Sequence, residues 1–288
     1  MYSQDNRRPF SRNHNSSRSS SPLQGGARGA SYDTRRPPEK EMIFGIRAII
    51  EAIDAGKTLD KILLRRDMTS TIGKELLKKL MGTTTPVQKV PVEKLNQYTD
   101  KNHQGAIAFL SPIDFCNLET LVPTLFEEGK TPLLMVLDGV TDVRNFGAIA
   151  RTCECAGVNC IVIPERNSVS VNADAVKTSA GALNYLPVCR ERNLVKAVQY
   201  LRDSGFKVMG ASEKTDLNYT KADFTGPVAI VLGAEDTGIS TDVLKLCDTL
   251  VAIPEFGQIN SLNVSVAGGI MIYEVVRQRL NDGQNVNS

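Results

Sequence analysis

The sequence predicts an α/β protein built on a mostly parallel sheet with helices on both faces. Two observations carry this. Short apolar runs, such as Leu133–Leu137 and Val228–Leu232, alternate with longer amphipathic stretches, and strands separated by helices pair in parallel and bury both faces. Polar or glycine-rich segments follow several of these runs, at the strand ends where open α/β sheets bind ligands.

Taken in order, residues 1–40 are rich in Ser, Arg, Asn, Gly and Pro. They offer too little apolar surface to offset the entropy of ordering, so this tail is expected to be disordered. From Met42 the pattern changes. Ile46, Ile49, Ile50 and Ile53 have helical spacing up to Gly56. Lys61–Leu64 reads as a strand, and Ser70 as the cap of a helix running to Met81. Val87–Val90 is a strand, Val92–Asn96 a short helix, and Ala106–Leu110 a strand ending at Ser111-Pro112. Residues 41–113 thus form a small α/β unit, and 114–131 a connection with some helical content.

A second unit spans 132–282. Its strands are Leu133–Leu137, Cys160–Ile163, Val208–Ala211, Val228–Leu232 and Thr249–Ile253. Its helices are Asn145–Ala156, Leu194–Ser204, Thr241–Leu246 and Leu262–Leu280. Residues 283–288 are expected to be a flexible end.

Composition narrows the classes. The 288 residues suffice for one large or two modest domains. No run of eighteen apolar residues is present, so no transmembrane helix is expected. Arg7 and Arg8 lack the apolar stretch of a secretory signal, which leaves the cytoplasm as the expected location. The net charge of +2 divides unevenly, about +5 in residues 1–40 and −3 in the remainder. A basic arm on a near-neutral body suits a polyanionic partner, or is a solvated tail. The six cysteines include Cys153, Cys155 and Cys160 but no paired C-x-x-C, and His14 and His103 are the only histidines. No metal site is expected, and reduced, buried cysteines are the better reading.

Three segments carry candidate chemistry. The first runs from Leu137 to Arg151. Asn145 stands where a helix cap belongs, Gly147 would admit a close backbone, and Arg151 presents a fork of donors suited to phosphate. A capped helix with a surface arginine would look the same. The second is Val231–Ile239, a strand entering a loop bracketed by Gly233 and Gly238. Glu235 and Asp236 argue against phosphate there and for hydroxyls, an amine or a positive centre. The absence of G-x-G-x-x-G argues against a nucleotide-dependent oxidoreductase. The third is Ile253–Gly269. Asn260, Ser261, Asn263 and Ser265 crowd the entry of an otherwise apolar helix. One of them is expected as its cap. Asn263 and Ser265, deeper among apolar neighbours, either serve a site or tie the segment internally.

These residues carry a resemblance. Asn145-x-Gly147-x-x-x-Arg151, Gly233-Ala234-Glu235-x-x-Gly238 and Ser261-Leu262-Asn263-Val264-Ser265-Val266-Ala267 resemble, in order and spacing, the three motifs of the SpoU (TrmH-like) RNA ribose 2′-O-methyltransferases of the SPOUT superfamily. Ile43–Ala52 and Asn102–Ala108 resemble the L30e-like substrate-binding domain of the subgroup that modifies large-subunit rRNA. That subgroup often has His where Arg47 or its neighbour stands.

The resemblance implies a parallel sheet whose C-terminal segment is threaded into a deep trefoil knot. It implies S-adenosyl-L-methionine as cofactor, held by Leu232, Gly233, Ala234, Gly238, Ile253, Leu262 and Asn263. It also implies a homodimer and a structured RNA substrate. The reading is 23S rRNA, with guanosine 2′-O-methylation, ahead of tRNA or a non-catalytic role in ribosome assembly. Arg151 resembles the arginine at the reacting hydroxyl, with Asn145, Glu235, Asn263 and Ser265 in support. Arginine stays charged in proteins, so Arg151 is expected to bind phosphate and stabilise developing charge rather than act as base. His103 is expected to contact RNA or to pack. Phe256 and Tyr273 are expected in the core. Lys74, Lys78 and Lys79 read as a solvated face or an RNA patch.

Overall fold

The computed structural model describes residues 42–258 and 261–283. The expected disordered tail, most of the expected flexible end, and Asn260 as a candidate cap lie outside the described residues.

Two sheets organise the chain. The smaller is built from β1 (Met42–Phe44), β2 (Leu59–Arg65), β3 (Val87–Val90) and β4 (Ala106–Leu110). Helices α1 (Ile46–Asp54), α2 (Thr71–Leu80) and α3 (Val92–Asn96) lie between them. Its order is β1-β4-β2-β3, with β4 antiparallel to both neighbours and β2 parallel to β3. Ser70 accepts the Gly73 N–H at 3.2 Å and caps α2 as expected. One face of this sheet packs Ile62, Leu64, Ala106 and Ala108 against Ile46, Ile49 and Leu76 of the two longer helices.

The larger sheet has seven strands, all paired in parallel. In chain order the elements are β5 (Phe115–Cys116), α4 (Leu118–Glu127), β6 (Leu133–Asp138), α5 (Val143–Cys155), β7 (Cys160–Pro164), α6 (Ala173–Thr178) and β8 (Val188–Glu191). Then come α7 (Leu194–Asp203), β9 (Lys207–Ala211), β10 (Val228–Gly233), α8 (Thr241–Leu244), β11 (Thr249–Val251) and α9 (Val264–Asn281). The strand order is β11-β9-β10-β6-β7-β8-β5. Alternate side chains of each strand enter opposite cores. Met135 and Leu137 meet α5 and α9 on one face, while Leu134 and Val136 meet α4 and α7 on the other. Every residue of β6, β7 and β10 except the last is therefore buried, and each reads as an unbroken apolar run up to that end.

Several boundaries differ from those predicted. Asn145 is not the cap of α5. Asp142 is, accepting the Arg144 and Asn145 N–H groups at 2.7 and 3.0 Å, so the helix begins two residues earlier. The last helix begins at Val264 and not Leu262, because Asn263 is its cap. Asn263 is consequently exposed rather than buried in the helix entry. Strand β8 and helix α6 were missed, since Val188-Cys189-Arg190-Glu191 alternates too little to signal a strand. Phe256 and Tyr273 are not core: Phe256 is 96% exposed and Tyr273 51%. Cys153, Cys160 and Cys189 are buried and free, but Cys116 and Cys155 are exposed.

Gly147 meets the close approach expected of it. An added Cβ would lie 2.2 Å from Thr178 Oγ1 and 2.8 Å from the Thr178 carbonyl carbon, so α6 packs directly on α5. The small sheet joins the large one through a dry polar contact. Asp60 of β2 and Arg190 of β8 pair at 3.3 Å, and both are almost fully buried.

Candidate active site

The connections leaving adjacent strands β6 and β10 pass over opposite faces of the sheet, into α5 on one side and α8 on the other. Such a divergence opens a crevice at the C-terminal strand ends. The segments following β6, β9, β10 and β11 all meet there.

The loop after β10 is the pivot. Ala234 and Gly238 exchange two backbone hydrogen bonds, at 3.1 and 2.8 Å. Gly238 has φ +68°, and a Cβ on Gly233 would lie 2.0 Å from the Gly238 carbonyl carbon. Only glycine fits at Gly233, because the loop folds back across it. This tight turn holds Glu235 against the starts of α5 and α9. One carboxylate oxygen, Oε1, accepts from Asn145 Nδ2 at 2.9 Å and Asn263 Nδ2 at 2.8 Å, with the Val264 N–H at 3.5 Å. Asn263 Nδ2 also reaches Asn145 Oδ1 at 2.9 Å, and Asn263 Oδ1 accepts from the Ser265 hydroxyl at 2.5 Å and its N–H at 3.0 Å. Asp138, at the end of β6, accepts the Ser240 N–H at 2.8 Å and anchors the far side of the loop.

Four predicted residues, Asn145, Glu235, Asn263 and Ser265, are therefore joined in one hydrogen-bonded chain, although 118 positions separate Asn145 from Asn263. A cavity of about 650 Å³ opens beside it. Leu232, Gly233, Ala234, Gly238, Ile253 and Leu262 all line this cavity, together with Glu235. Asn263 does not, although its neighbours Leu262 and Val264 do. A smaller cavity of about 240 Å³, lined by Gly139, Asp142 and Asn145, adjoins it and shares Ala234, Glu235, Asp236 and Val264.

Arg151 stands apart. It is exposed, lines neither cavity and is not part of the hydrogen-bonded chain. It lies six residues beyond Asn145 on α5, about 1.7 turns along the helix. Sequence reasoning passed over Ser212 and Glu213, which also line the large cavity. The signal was available, since Ser212-Glu213-Lys214 is a polar run directly after strand β9. His103 makes no approach to this site. It is buried in the small unit, bonded to Asn96 Oδ1 at 2.9 Å and to the Gly105 N–H at 3.0 Å.

The chemistry of the large cavity is mixed. Leu232, Ile253 and Leu262 give it apolar walls, and Glu213, Glu235, Asp236 and Glu255 give it carboxylates, against one cation among the described residues, Lys214. Such a lining disfavours phosphate. It favours a ligand with an apolar plane, hydroxyls and positive charge.

Comparison with known proteins agrees in sequence and in fold. The profile of the SpoU rRNA Methylase family matches residues 132–273, and that described as RNA 2′-O ribose methyltransferase substrate binding matches residues 42–116. A TrmH family tRNA/rRNA methyltransferase of Staphylococcus saprophyticus is 35% identical over 241 residues, covering 84% of this chain and 97% of its own. A Staphylococcus aureus relative of the same name is 36% identical over 248 residues, covering 85% and 99%. Among solved structures, the SpoU methyltransferase AviRb of Streptomyces viridochromogenes in complex with AdoMet superposes with a TM-score of 0.53 at 25% identity, covering 83% of this chain and 90% of that one. The AdoMet-bound rRNA methyltransferase of Sinorhizobium meliloti shares the fold, with a TM-score of 0.53 at 22% identity over 83% and 87% of the two chains.

Proposed function

Because this chain belongs to the SpoU (TrmH) family of S-adenosylmethionine-dependent RNA methyltransferases, we propose that it methylates a ribose 2′-hydroxyl of large-subunit rRNA. The observation that carries the reading is the hydrogen-bonded chain Asn145–Glu235–Asn263–Ser265, whose Glu235 lines the large cavity. The match of residues 42–116 to a 2′-O substrate-binding profile supports the ribose as target.

The cavity lining fits the cofactor. Leu232, Ile253 and Leu262 offer apolar contact for an adenine ring, and the carboxylates of Glu213 and Asp236 suit ribose hydroxyls and a cationic centre. When bound, the sulfonium supplies a methyl group already activated for transfer. The remaining work is orientation. Glu235 fixes the amides of Asn145 and Asn263, so that the starts of α5 and α9 hold one geometry as RNA arrives. Arg151, charged and free at the surface of α5, binds the phosphate next to the target ribose and stabilises charge developing on the 2′-oxygen.

A second copy of the chain completes the proposed enzyme. Helix α9 leaves Val266, Tyr273 and Leu280 exposed at a spacing of seven residues, an apolar stripe along one face. Against a second copy this stripe would be buried. The C-terminal segment that follows β10 would be the threaded one, and the cavity walls contributed by Gly233, Ile253 and Leu262 fit that path.

The test is transfer of labelled methyl from S-adenosylmethionine to total RNA, separated into rRNA and tRNA, with wild type and Arg151→Ala in parallel. The expected result is a 2′-O-methyl nucleotide in rRNA, reduced about a hundredfold or more in the variant. Label in tRNA alone would move the substrate. Near-normal turnover by Arg151→Ala would remove Arg151 from the reaction. Cofactor binding without transfer to either fraction would point to an RNA-binding protein without turnover.

A further inference from the structure

The small unit carries a cavity of its own, about 660 Å³, that shares no lining residue with the site above. Its apolar contributors are Ile46, Met68 and Ile72, which are buried or half-buried. Its polar ones include Arg47, Arg65 and Gln104, which are exposed. Among the described residues no carboxylate lines it, although Asp67, just outside the lining, pairs with Arg65 Nε at 2.8 Å and leaves the rest of that guanidinium open.

The conformation of Gln104 is informative. Its φ is +50°, where a residue with a Cβ seldom sits. Such a conformation persists only where the surroundings impose it, and it is enriched at functional sites. Here the bracing is visible. The Gln104 N–H donates to Asn102 Oδ1 at 3.2 Å, and the next N–H, of Gly105, donates to His103 Nδ1 at 3.0 Å. Since that nitrogen accepts, Nε2 of His103 carries the hydrogen and donates to Asn96 Oδ1. Gly105 has φ +82°, and a Cβ there would press on Arg65 Cβ at 3.2 Å. The Gln104 side chain reaches back over Gly45, its Oε1 3.7 Å from where a Cβ on that glycine would be, and so lies beside the start of α1 and Arg47.

A braced loop thus places an amide in the same cavity lining as two arginines, beside an apolar surface. The matching ligand is apolar on its face, able to donate and accept at its edge, and anionic at one end. We propose that this cavity takes one unstacked nucleotide of the RNA substrate. The base lies against Ile46, Met68 and Ile72, its edge meets the Gln104 amide, and its phosphate meets Arg47 and Arg65. Sequence-specific RNA recognition works largely through splayed-out bases of this kind. The assignment rests on RNA being the substrate, and it makes the small unit a reader of one unpaired position.

The test measures binding by the full-length protein, separately from transfer. The probes are a short single-stranded RNA of mixed sequence, the same RNA annealed to its complement, and the four nucleoside monophosphates as competitors. The variants are Gln104→Gly, which tolerates the positive φ and removes the side chain with its amide, and Arg47→Ala. The expected result is a preference for the single strand, weakened roughly tenfold by either variant. Affinity for S-adenosylmethionine should be unchanged, and any transfer to rRNA should show a raised KM at unaltered kcat. Wild-type single-strand affinity in both variants would overturn the pocket even if methyl transfer were seen. A mononucleotide competing as strongly as the RNA would also overturn it, in favour of a free-nucleotide site. Loss of single-strand binding in Gln104→Gly, with no transfer to any RNA by wild type, would support the pocket and refute methylation.

Discussion

Removing the Asp60 carboxylate should destabilise the chain more than most single changes. Asp60 and Arg190 are only 3% and 4% exposed. Asp60 Oδ1 accepts from Arg190 Nη2 at 3.3 Å and from the Val171 N–H at 3.0 Å, and its other oxygen accepts from the Ser170 hydroxyl. Arg190 Nη1 reaches the Leu59 and Asp60 carbonyls at 3.2 and 3.0 Å, and the guanidinium lies 3.6 Å from the centre of the Phe115 ring. Burial pulls the Arg190 guanidinium down to about 10, and Asp60 and Glu165 act against that fall. In Asp60→Ala the buried cation would lose its nearest counter-charge, and a hydroxyl and an N–H would lose their acceptor. Breaking such a pair by removing one partner costs about 3–5 kcal/mol. For a unit of this size that corresponds to a fall in Tm of about 6–20 °C. Asp60→Asn, which keeps an acceptor oxygen, should fall less. Calorimetry at pH 7 on the three proteins, with urea titration as a second measure, reads this directly. A Tm for Asp60→Ala within about 2 °C of wild type would refute the reasoning, because it would mean that water reaches Arg190 and the junction between the two sheets is not dry.

Three further outcomes follow from the geometry. Glu235→Gln turns an acceptor of three donors into a group that carries donors of its own, so methyl transfer should fall about tenfold or more while Tm changes by little, the residue being exposed. Unchanged kcat would remove Glu235 from any positioning role. Gly147→Ala should cost about 1–3 kcal/mol by forcing α6 from α5, and Thr178→Ala should restore only part of it, since the Thr178 backbone carbon also stands in the way. Full rescue would show that only the side chain obstructs. The Lys207 ammonium, aided by Thr225, holds the Asp223 carboxyl down at about 2 against an ordinary 3.8. The ionised form therefore supports the fold above that ordinary value, and the support is lost as pH falls through the folded value near 2. The pair is exposed, so Asp223→Asn should lose no more than about 1 kcal/mol at pH 7 and match wild type at the acid end. A loss that grew towards low pH would have the wrong sign.

The residues that could be read from the sequence share a feature: their signal is local. Leu133–Leu137 and Val228–Leu232 announce buried parallel strands because both faces of the sheet are covered. Gly233 and Gly238 mark a tight loop because backbone sterics alone demand glycine there. The three motifs could be matched in order along the chain. What the sequence left open depends on partners far along it. Asn145 looks like a cap, and four polar residues compete to cap the last helix; only the packed structure assigns that role to Asp142 in one helix and to Asn263 in the other. It frees the Asn145 amide for Glu235 in doing so. Strand β8 escaped notice because its placement is decided by β7 and β5 on either side, and by the burial of Arg190 against Asp60 from the other sheet. Local spacing sets which elements form. The hydrogen bonds that gather Asn145, Glu235 and Asn263 around one oxygen exist only once the sheet has brought three distant loops to a common edge.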